Sequence, residues 1–357
     1  MNLSVTLWPF LVSMLIAIIS IPVIIKVADL KHLMDEPDED RKFHKTRTPT
    51  LGGIAIFAGT VFAYSAFTDY LKTDDIRFMT SAIILLFFAG IKDDIIALSP
   101  IKKLSVQVVC AILVTTLGNL KLTSFWGMFG LNEIPPIMGV LITVLVIVSL
   151  INAFNLIDGI NGLAGSLGLL ASLSFGIWFA LTGAHGLSIL AFALGGSLLG
   201  FLFFNFCNAK IFMGDTGSML LGFIVSILAI KFIENSRTPG FETSPFYIKA
   251  APGIAVAIVL IPLLDMTRVF FLRIIKKRSP FSADRRHIHH ILQDLGMSHL
   301  QVTLSLLAYA ILMIAMALYL REWRSLELSI LLMGISIILT GIVSLVLKKQ
   351  VRDRLNK

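Results

Sequence analysis

Apolar residues run almost unbroken through long stretches of this chain, and charged residues gather in the short breaks between them. The pattern predicts membrane-crossing helices at about 4–25, 51–70, 77–92, 104–119, 134–152, 160–181, 187–205, 216–233, 249–272, 301–320 and 327–347. Crossing a hydrocarbon core of about 30 Å takes roughly 17–25 apolar residues in a helix, and these runs reach or approach that length. The expected fold is an all-α polytopic membrane protein with about 11 transmembrane helices. The first run, Leu7 to Ile25, has no basic residues before it and no small-residue cleavage site, so it reads as a retained span rather than a signal peptide. The two longest hydrophilic connections are 26–50 and 273–300, and neither is a soluble domain, which leaves one membrane domain over 1–357.

Composition agrees. The 357 residues are 56% hydrophobic and only 15% charged, against about a quarter charged in an ordinary soluble domain. Mean hydropathy is +0.88. The net charge of +8 raises the question of nucleic acid, and the distribution of charge excludes it. With the spans above, 22 of the 30 Lys and Arg fall on one side of the membrane and 8 on the other. The positive-inside rule then puts the N-terminus outside and the C-terminus in the cytoplasm. Cys110 and Cys207 both sit in apolar runs and form no metal or disulfide pattern, so helix packing is their expected role.

Polar groups at membrane depth cost about 2.5–3.5 kcal/mol each on insertion scales, so their positions carry information. The stretch NAFNLIDGINGLAG ends the fifth span and sets Asn152, Asn155, Asp158 and Asn161 three residues apart, on one side of a helix until Gly159 loosens it. Other unusual motifs fall on the same, cytoplasmic side. They are DRKFHKTRTPTLGG after span 1, GIKDDIIALSPIKKLSVQ after span 3, NFCNAKIFMGDTGSM after span 7 and SADRRHIHHILQDLG after span 9. Each has a plain reading as well. Asp93 and Asp94 could cap the end of a span in water, Lys102 and Lys103 could be ordinary positive-inside residues, and the histidines could form a solvated loop. FMGDTGS is harder to explain by packing, because it sets an acid among backbone N–H groups inside an apolar run. Five motifs on one face point to one site, in loops 26–50, 92–103, 152–160, 205–216 and 273–300.

Asp93, Asp94, Asp158 and Asp215 offer only oxygen ligands, which suits a hard cation such as Mg²⁺ sharing its shell with water and substrate phosphate. His287, His289 and His290 lack the second half of a zinc motif. Lys45, Arg47, Lys102, Lys103, Arg285 and Arg286 surround the acids, and acids that bind metal among cations fit a pyrophosphate. No Walker A sequence or Rossmann fingerprint is present, so ATP-driven and nicotinamide chemistry have no support. A lipid or anion transporter would be expected to carry its site near the midplane in two related halves, and the one-sided motifs weigh against it.

Together these motifs resemble the polyprenyl-phosphate N-acetylhexosamine-1-phosphate transferases, relatives of the phospho-N-acetylmuramoyl-pentapeptide transferases. The matching pieces run in family order from about residue 35 to 300. The resemblance implies transfer of a sugar-1-phosphate from a UDP-sugar to a polyprenyl phosphate, with release of UMP and with Mg²⁺, or Mn²⁺, as cofactor. UDP-GlcNAc and undecaprenyl phosphate are the leading substrates, as the first membrane step of a cell-surface glycan such as lipopolysaccharide or teichoic acid. Another UDP-N-acetylhexosamine or UDP-MurNAc-pentapeptide is the alternative, and the HIHH cluster and eleventh span favour the former. The implied setting is the bacterial inner (cytoplasmic) membrane with the active site facing the cytoplasm, and dimers are common in the superfamily.

Residue by residue, the resemblance makes Asp215 the principal Mg²⁺ ligand. Asp93 either activates the lipid phosphate or acts as a covalent nucleophile, with Asp94 assisting. Asn155 and Asp158 become partners on the substrate or metal side, and Asn205 a uridine or phosphate contact. Lys45, Thr50 and Lys103 match positions near the phosphates. His287, His289 and His290 match the N-acetylhexosamine signature, and Arg285 and Arg286 fit a loop that selects the sugar nucleotide. Many relatives read NLxDGxDGL where this chain has NLIDGING, so Asp158 is the only acid of its segment and Asn161 is excluded from catalysis.

Overall fold

The computed structural model describes residues 3–33, 48–68, 75–238, 240–275 and 287–355. About 79% of the structure is helical, and among the described residues there is no strand, only an isolated bridge between Ser124 and Glu133. The chain forms two compact units, Met1–Tyr247 and Ile248–Lys357, each described by itself.

Among the described residues eight α-helices build the first unit. They are α1 (Leu3–Leu30), α2 (Gly52–Phe67), α3 (Asp75–Ile95), α4 (Pro100–Thr116), α5 (Pro136–Ile157), α6 (Leu163–Leu181), α7 (His185–Asn205) and α8 (Gly214–Asn235). The second unit holds α9 (Ala251–Ile258), α10 (Leu260–Ile275), α11 (Ile288–Asp294), α12 (His299–Tyr319) and α13 (Ser325–Leu355). A helix or helix pair therefore stands at each of the eleven places the hydropathy pattern marks. Among the described residues seven are long and apolar enough to cross a membrane alone, namely α1, α5, α6, α7, α8, α12 and α13. The count reaches 8 if α9 and α10 form one span. The shortfall has simple causes. α2 has 16 residues and α4 has 17, and α3 carries charge at both ends, Asp75 and Arg77 at one and Lys92, Asp93 and Asp94 at the other.

The run expected as a single ninth span is bent by 79° between α9 and α10. Pro262 accounts for the break: a continuous helix would require it to donate an N–H to the carbonyl of Ile258, and proline has none. α9 packs on α12 and α13, and α10 and α11 touch both of those helices.

In the first unit α8 is the centre. It is apolar all round and is buried on nearly every side, packing against α2, α3, α5 and α6. Small residues let its neighbours come close, as in membrane helix pairs generally. A Cβ placed on Gly53 of α2 would lie 2.2 Å from the Gly217 nitrogen, and one on Gly90 of α3 would lie 2.4 Å from the Thr216 Cα. Backbone bonds tie the start of α2 to the residues just before α8: Phe212 N–H donates to Pro49 O (2.8 Å), Gly52 N–H to Phe212 O (2.9 Å) and Gly53 N–H to Met213 O (2.8 Å).

Gly214, the first residue of α8, has φ +71°, where a side chain is strained, and a Cβ there would lie 2.0 Å from Thr50 O and 2.7 Å from Asp94 Oδ1. Gly214→Ala is expected to lower stability by about 3 kcal/mol or more, from αL strain together with a backbone clash. Thermal unfolding of the detergent-solubilised protein checks this, with Gly240→Ala, where a Cβ meets nothing within 4 Å, as a comparison for strain without a clash.

Candidate active site

The ends of six helices meet at one end of the first unit: the starts of α2, α4 and α8 and the finishes of α3, α5 and α7. The first turn of α8 leaves backbone N–H groups without helical acceptors, and its positive end favours an anion. Asp94, at the finish of α3, supplies that anion. Its Oδ1 accepts from Asp215 N–H (2.6 Å), and its Oδ2 accepts from Thr216 N–H (3.0 Å) and from the Thr216 hydroxyl. Burial pushes the Asp94 carboxyl up to about 6, with neighbouring Asp215 adding to the rise, while the bonds from Thr216 and Asp215 hold it down. The reading of Asp94 as the cap of its own span is therefore half right. It caps a helix, but one that begins 120 residues further along the chain.

Asp215 follows directly and points the other way. Its side chain is 32% exposed, and its Oδ1 accepts from both Lys103 Nζ and Asn155 Nδ2. The Asn155 amide also donates to Ser218 Oγ (2.8 Å), one turn into α8, which fixes its orientation. Lys103 reaches back from the first turn of α4 and pairs with Asp93 Oδ2 at 3.1 Å as well. The other oxygen of Asp93 accepts from Leu98 N–H (2.6 Å), so this acid closes the α3–α4 turn while staying in the charged cluster. Only 6% of the Asp93 side chain is exposed.

Asp158 caps the finish of α5. Desolvation, then the nearby charges of Asp215 and Asp94, push its carboxyl well above the usual carboxylate range, against a hydrogen bond from Gly214 N–H. Like charges this close favour a cation between them. Among the described residues no three His, Cys, Asp or Glu are grouped to hold a metal ion. The donor set still fits Mg²⁺, which commonly takes one or two carboxylates and completes its shell with water and substrate phosphate.

The remaining expected residues divide clearly. Thr50 lies against Gly214, beside the Asp94 carboxylate. Asn205, expected as a substrate contact, uses both ends of its amide on the backbone: Oδ1 accepts from Gly162 N–H (2.7 Å) and Nδ2 donates to Ile211 O (2.8 Å). It thus joins the loop after Asp158 to the loop before Asp215. Asn152 is a packing amide, with Nδ2 donating to Gln107 Oε1 of α4 and Val148 O at 2.8 Å each. Asn161 is buried. Lys45, Arg285 and Arg286 lie outside the described residues.

The histidines belong to the second unit and are described by themselves. His287 and His289 are buried, their rings parallel within 15° at 5.5 Å, and His290 packs on His289 at 4.4 Å. Both buried histidines turn Nδ1 toward Asp265, which is 1% exposed. Sequence reading missed Asp265, although a lone acid in the apolar run IPLLDMTRVFF was the signal that could have found it. It also missed Thr216 and Ser218, which sit in plain view in GDTGSM and whose partners come from other helices.

The stripe at 152, 155, 158 and 161 thus separates by function. Asn155→Ala is expected to remove most activity, about tenfold or more, by freeing the Asp215 carboxylate. Asn152→Ala is expected to cost about 1 kcal/mol of stability and leave activity within about threefold. Turnover and thermal unfolding of both variants, measured side by side, check the separation; equal losses of activity would contradict it.

Known proteins match most of the chain. Residues 76–233 match glycosyl transferase family 4. The chain is 34% identical to a protein of Bacillus subtilis named probable undecaprenyl-phosphate N-acetylglucosaminyl 1-phosphate transferase, over 95% of this chain and 92% of that one. It is 32% identical to the undecaprenyl-phosphate alpha-N-acetylglucosaminyl 1-phosphate transferase of Haemophilus influenzae, over 87% of each chain. With the protein of the same name from Salmonella typhi it shares 31% over 80% of this chain and 76% of the other. With its capped acid, its charged cluster and these near full-length matches, the chain belongs to the undecaprenyl-phosphate N-acetylglucosaminyl 1-phosphate transferases of glycosyl transferase family 4.

Proposed function

We propose that this protein transfers GlcNAc-1-phosphate from UDP-GlcNAc to undecaprenyl phosphate, giving undecaprenyl-diphosphate-GlcNAc and UMP. The observation that carries this reading is the convergence of Asp93, Lys103, Asn155 and Asp215 at one end of the first unit, in a chain whose relatives bear that name. An oxygen of the lipid phosphate bonds to the phosphorus that carries the sugar. The bond from that phosphorus to the bridging oxygen breaks, and the electron pair leaves with UMP. Such transfers depend mainly on positioning and on neutralising phosphate oxygens.

The residues divide this work. Lys103 already neutralises two carboxylates and is placed to meet phosphate oxygens. Asp93 accepts the last proton of the lipid phosphate, whose second pKa is near 6 by analogy with other phosphate monoesters. Leu98 N–H and Lys103 hold the Asp93 carboxylate in place in the charged cluster. Asp215 and Asp158 are the residues that would hold Mg²⁺, which when bound neutralises charge on the pyrophosphate. Asp94 and Asn205 act at one remove, by fixing the loops that carry these groups. Lys45, Arg285, Arg286 and the histidines contact the sugar nucleotide.

Eleven spans with the N-terminus outside would open this end of the bundle to the cytoplasm, where UDP-sugars are made. In the bacterial inner membrane the product would start a cell-surface glycan, and the family suggests a homodimer.

Purified protein with undecaprenyl phosphate, Mg²⁺ and a panel of UDP-sugars should release UMP, fastest with UDP-GlcNAc. No UMP with any sugar would refute the enzyme reading and leave a transporter. Asp93→Asn should abolish turnover with UDP-GlcNAc binding nearly normal. Asp215→Asn should raise the Mg²⁺ concentration needed for half-activity by about tenfold or more, as expected for losing a charged ligand. An unaltered metal titration would remove Asp215 from the metal site.

A further inference from the structure

The second unit holds a buried acid that the reaction as described leaves unused. Asp265 lies in α10, is 1% exposed, and sits in a largely apolar run. A carboxylate withdrawn from water is costly unless it is paired and hydrogen-bonded. Its carboxylate reaches the histidine segment 22 to 24 residues later. Oδ1 accepts from Ile288 N–H at 2.7 Å. Oδ2 lies 2.9 Å from His289 Nδ1 and 3.4 Å from His287 Nδ1, the second too long for a hydrogen bond.

Two consequences follow from these distances. A carboxylate accepting from His289 requires the hydrogen on Nδ1, which directs Nε2, the other ring nitrogen, away from Asp265. Oδ1 at the same time holds the backbone at Ile288, whose side chain is itself buried, and the parallel His287 ring leaves His289 little room to turn. The carboxylate thus fixes the segment by its backbone and the histidine by its tautomer. Carboxylates orient metal-binding and catalytic histidines in the same way.

We propose that Asp265 is a positioning residue for sugar-nucleotide binding, acting through His289 and the Ile288 backbone. This rests on the reading above that the histidine segment contacts the sugar nucleotide. Asp265→Asn is the informative change, because it keeps the volume and the acceptor for Ile288 N–H. It places an NH₂ opposite His289 Nδ1, which can neither accept that hydrogen nor balance an imidazolium.

The experiment measures steady-state kinetics of UMP release for the wild type, Asp265→Asn, His289→Gln, His287→Gln and the double variant Asp265→Asn with His289→Gln in detergent. Asp265→Asn should raise KM for UDP-GlcNAc by about tenfold or more, with kcat within about threefold and KM for undecaprenyl phosphate unchanged. The double variant should be no more than about twofold worse than His289→Gln alone, since both changes remove one interaction. If His289→Gln raises KM and Asp265→Asn does not, or if the two effects multiply, the positioning role is overturned while the binding reading stands. If His289→Gln and His287→Gln both leave KM unchanged, the binding reading fails and the proposal fails with it. Should Asp265→Asn not fold, wild-type protein labelled with ¹⁵N-histidine gives the answer. The resonance missing from the His289→Gln sample should show a protonated Nδ1, and a bare Nδ1 would overturn the proposal.

Discussion

A half-buried carboxylate on the first turn of a buried helix is the contact on which the active-site end of this protein depends. The N–H groups of the first turn of α8 have no helical acceptors, and one left buried and unmet costs about 1–3 kcal/mol. Asp94 meets two of them and the Thr216 hydroxyl together. The same contact holds the finish of α3 against the start of α8, where Gly90 and Gly214 leave room for nothing larger. Asp215 is the next residue, so wherever Asp94 fixes the helix start it also fixes the exposed acid. Lys103, Asn155 and Ser218 complete the arrangement from three directions.

Adjacent acids thus divide two jobs by orientation. Asp93 turns to Lys103 and the α3–α4 turn, in the charged cluster; Asp94 turns into the protein. Consecutive residues on a helix point about 100° apart, so a DD pair at a helix end naturally serves two partners. Asn152 and Asn155 divide in the same way on α5, one toward Gln107 and the other toward Asp215. Asn205, at the finish of α7, ties together the two loops that carry Asp158 and Asp215.

Much of this was legible in the sequence, because the membrane makes hydrophobic length a strong signal. Helices stand wherever the apolar runs predicted them. The exceptions have local causes: α2 and α4 are short, charge gathers at the ends of α3, and Pro262 bends the ninth run into two helices. Asp93, Asp158, Asp215, Lys103 and Asn155 were recognisable as a group because acids, amides and a lysine broke apolar runs at one end of the spans. Which acid caps and which stays in the cluster was not legible, since Asp94 takes its donors from 121 and 122 residues away. Asp265 was passed over because it carries no motif of its own, and its meaning appears only once the chain returns at His289.

The most direct test of this account is a double-mutant cycle on thermal unfolding, using Asp94→Asn, Thr216→Val and the pair in the purified protein without substrate. If Asp94 is the cap that builds the site, each single change should destabilise, and the pair should fall short of additivity by about 1–3 kcal/mol. Asp94→Asn with wild-type stability, or two effects that simply add, would contradict it and return Asp94 to the chemistry of the reaction.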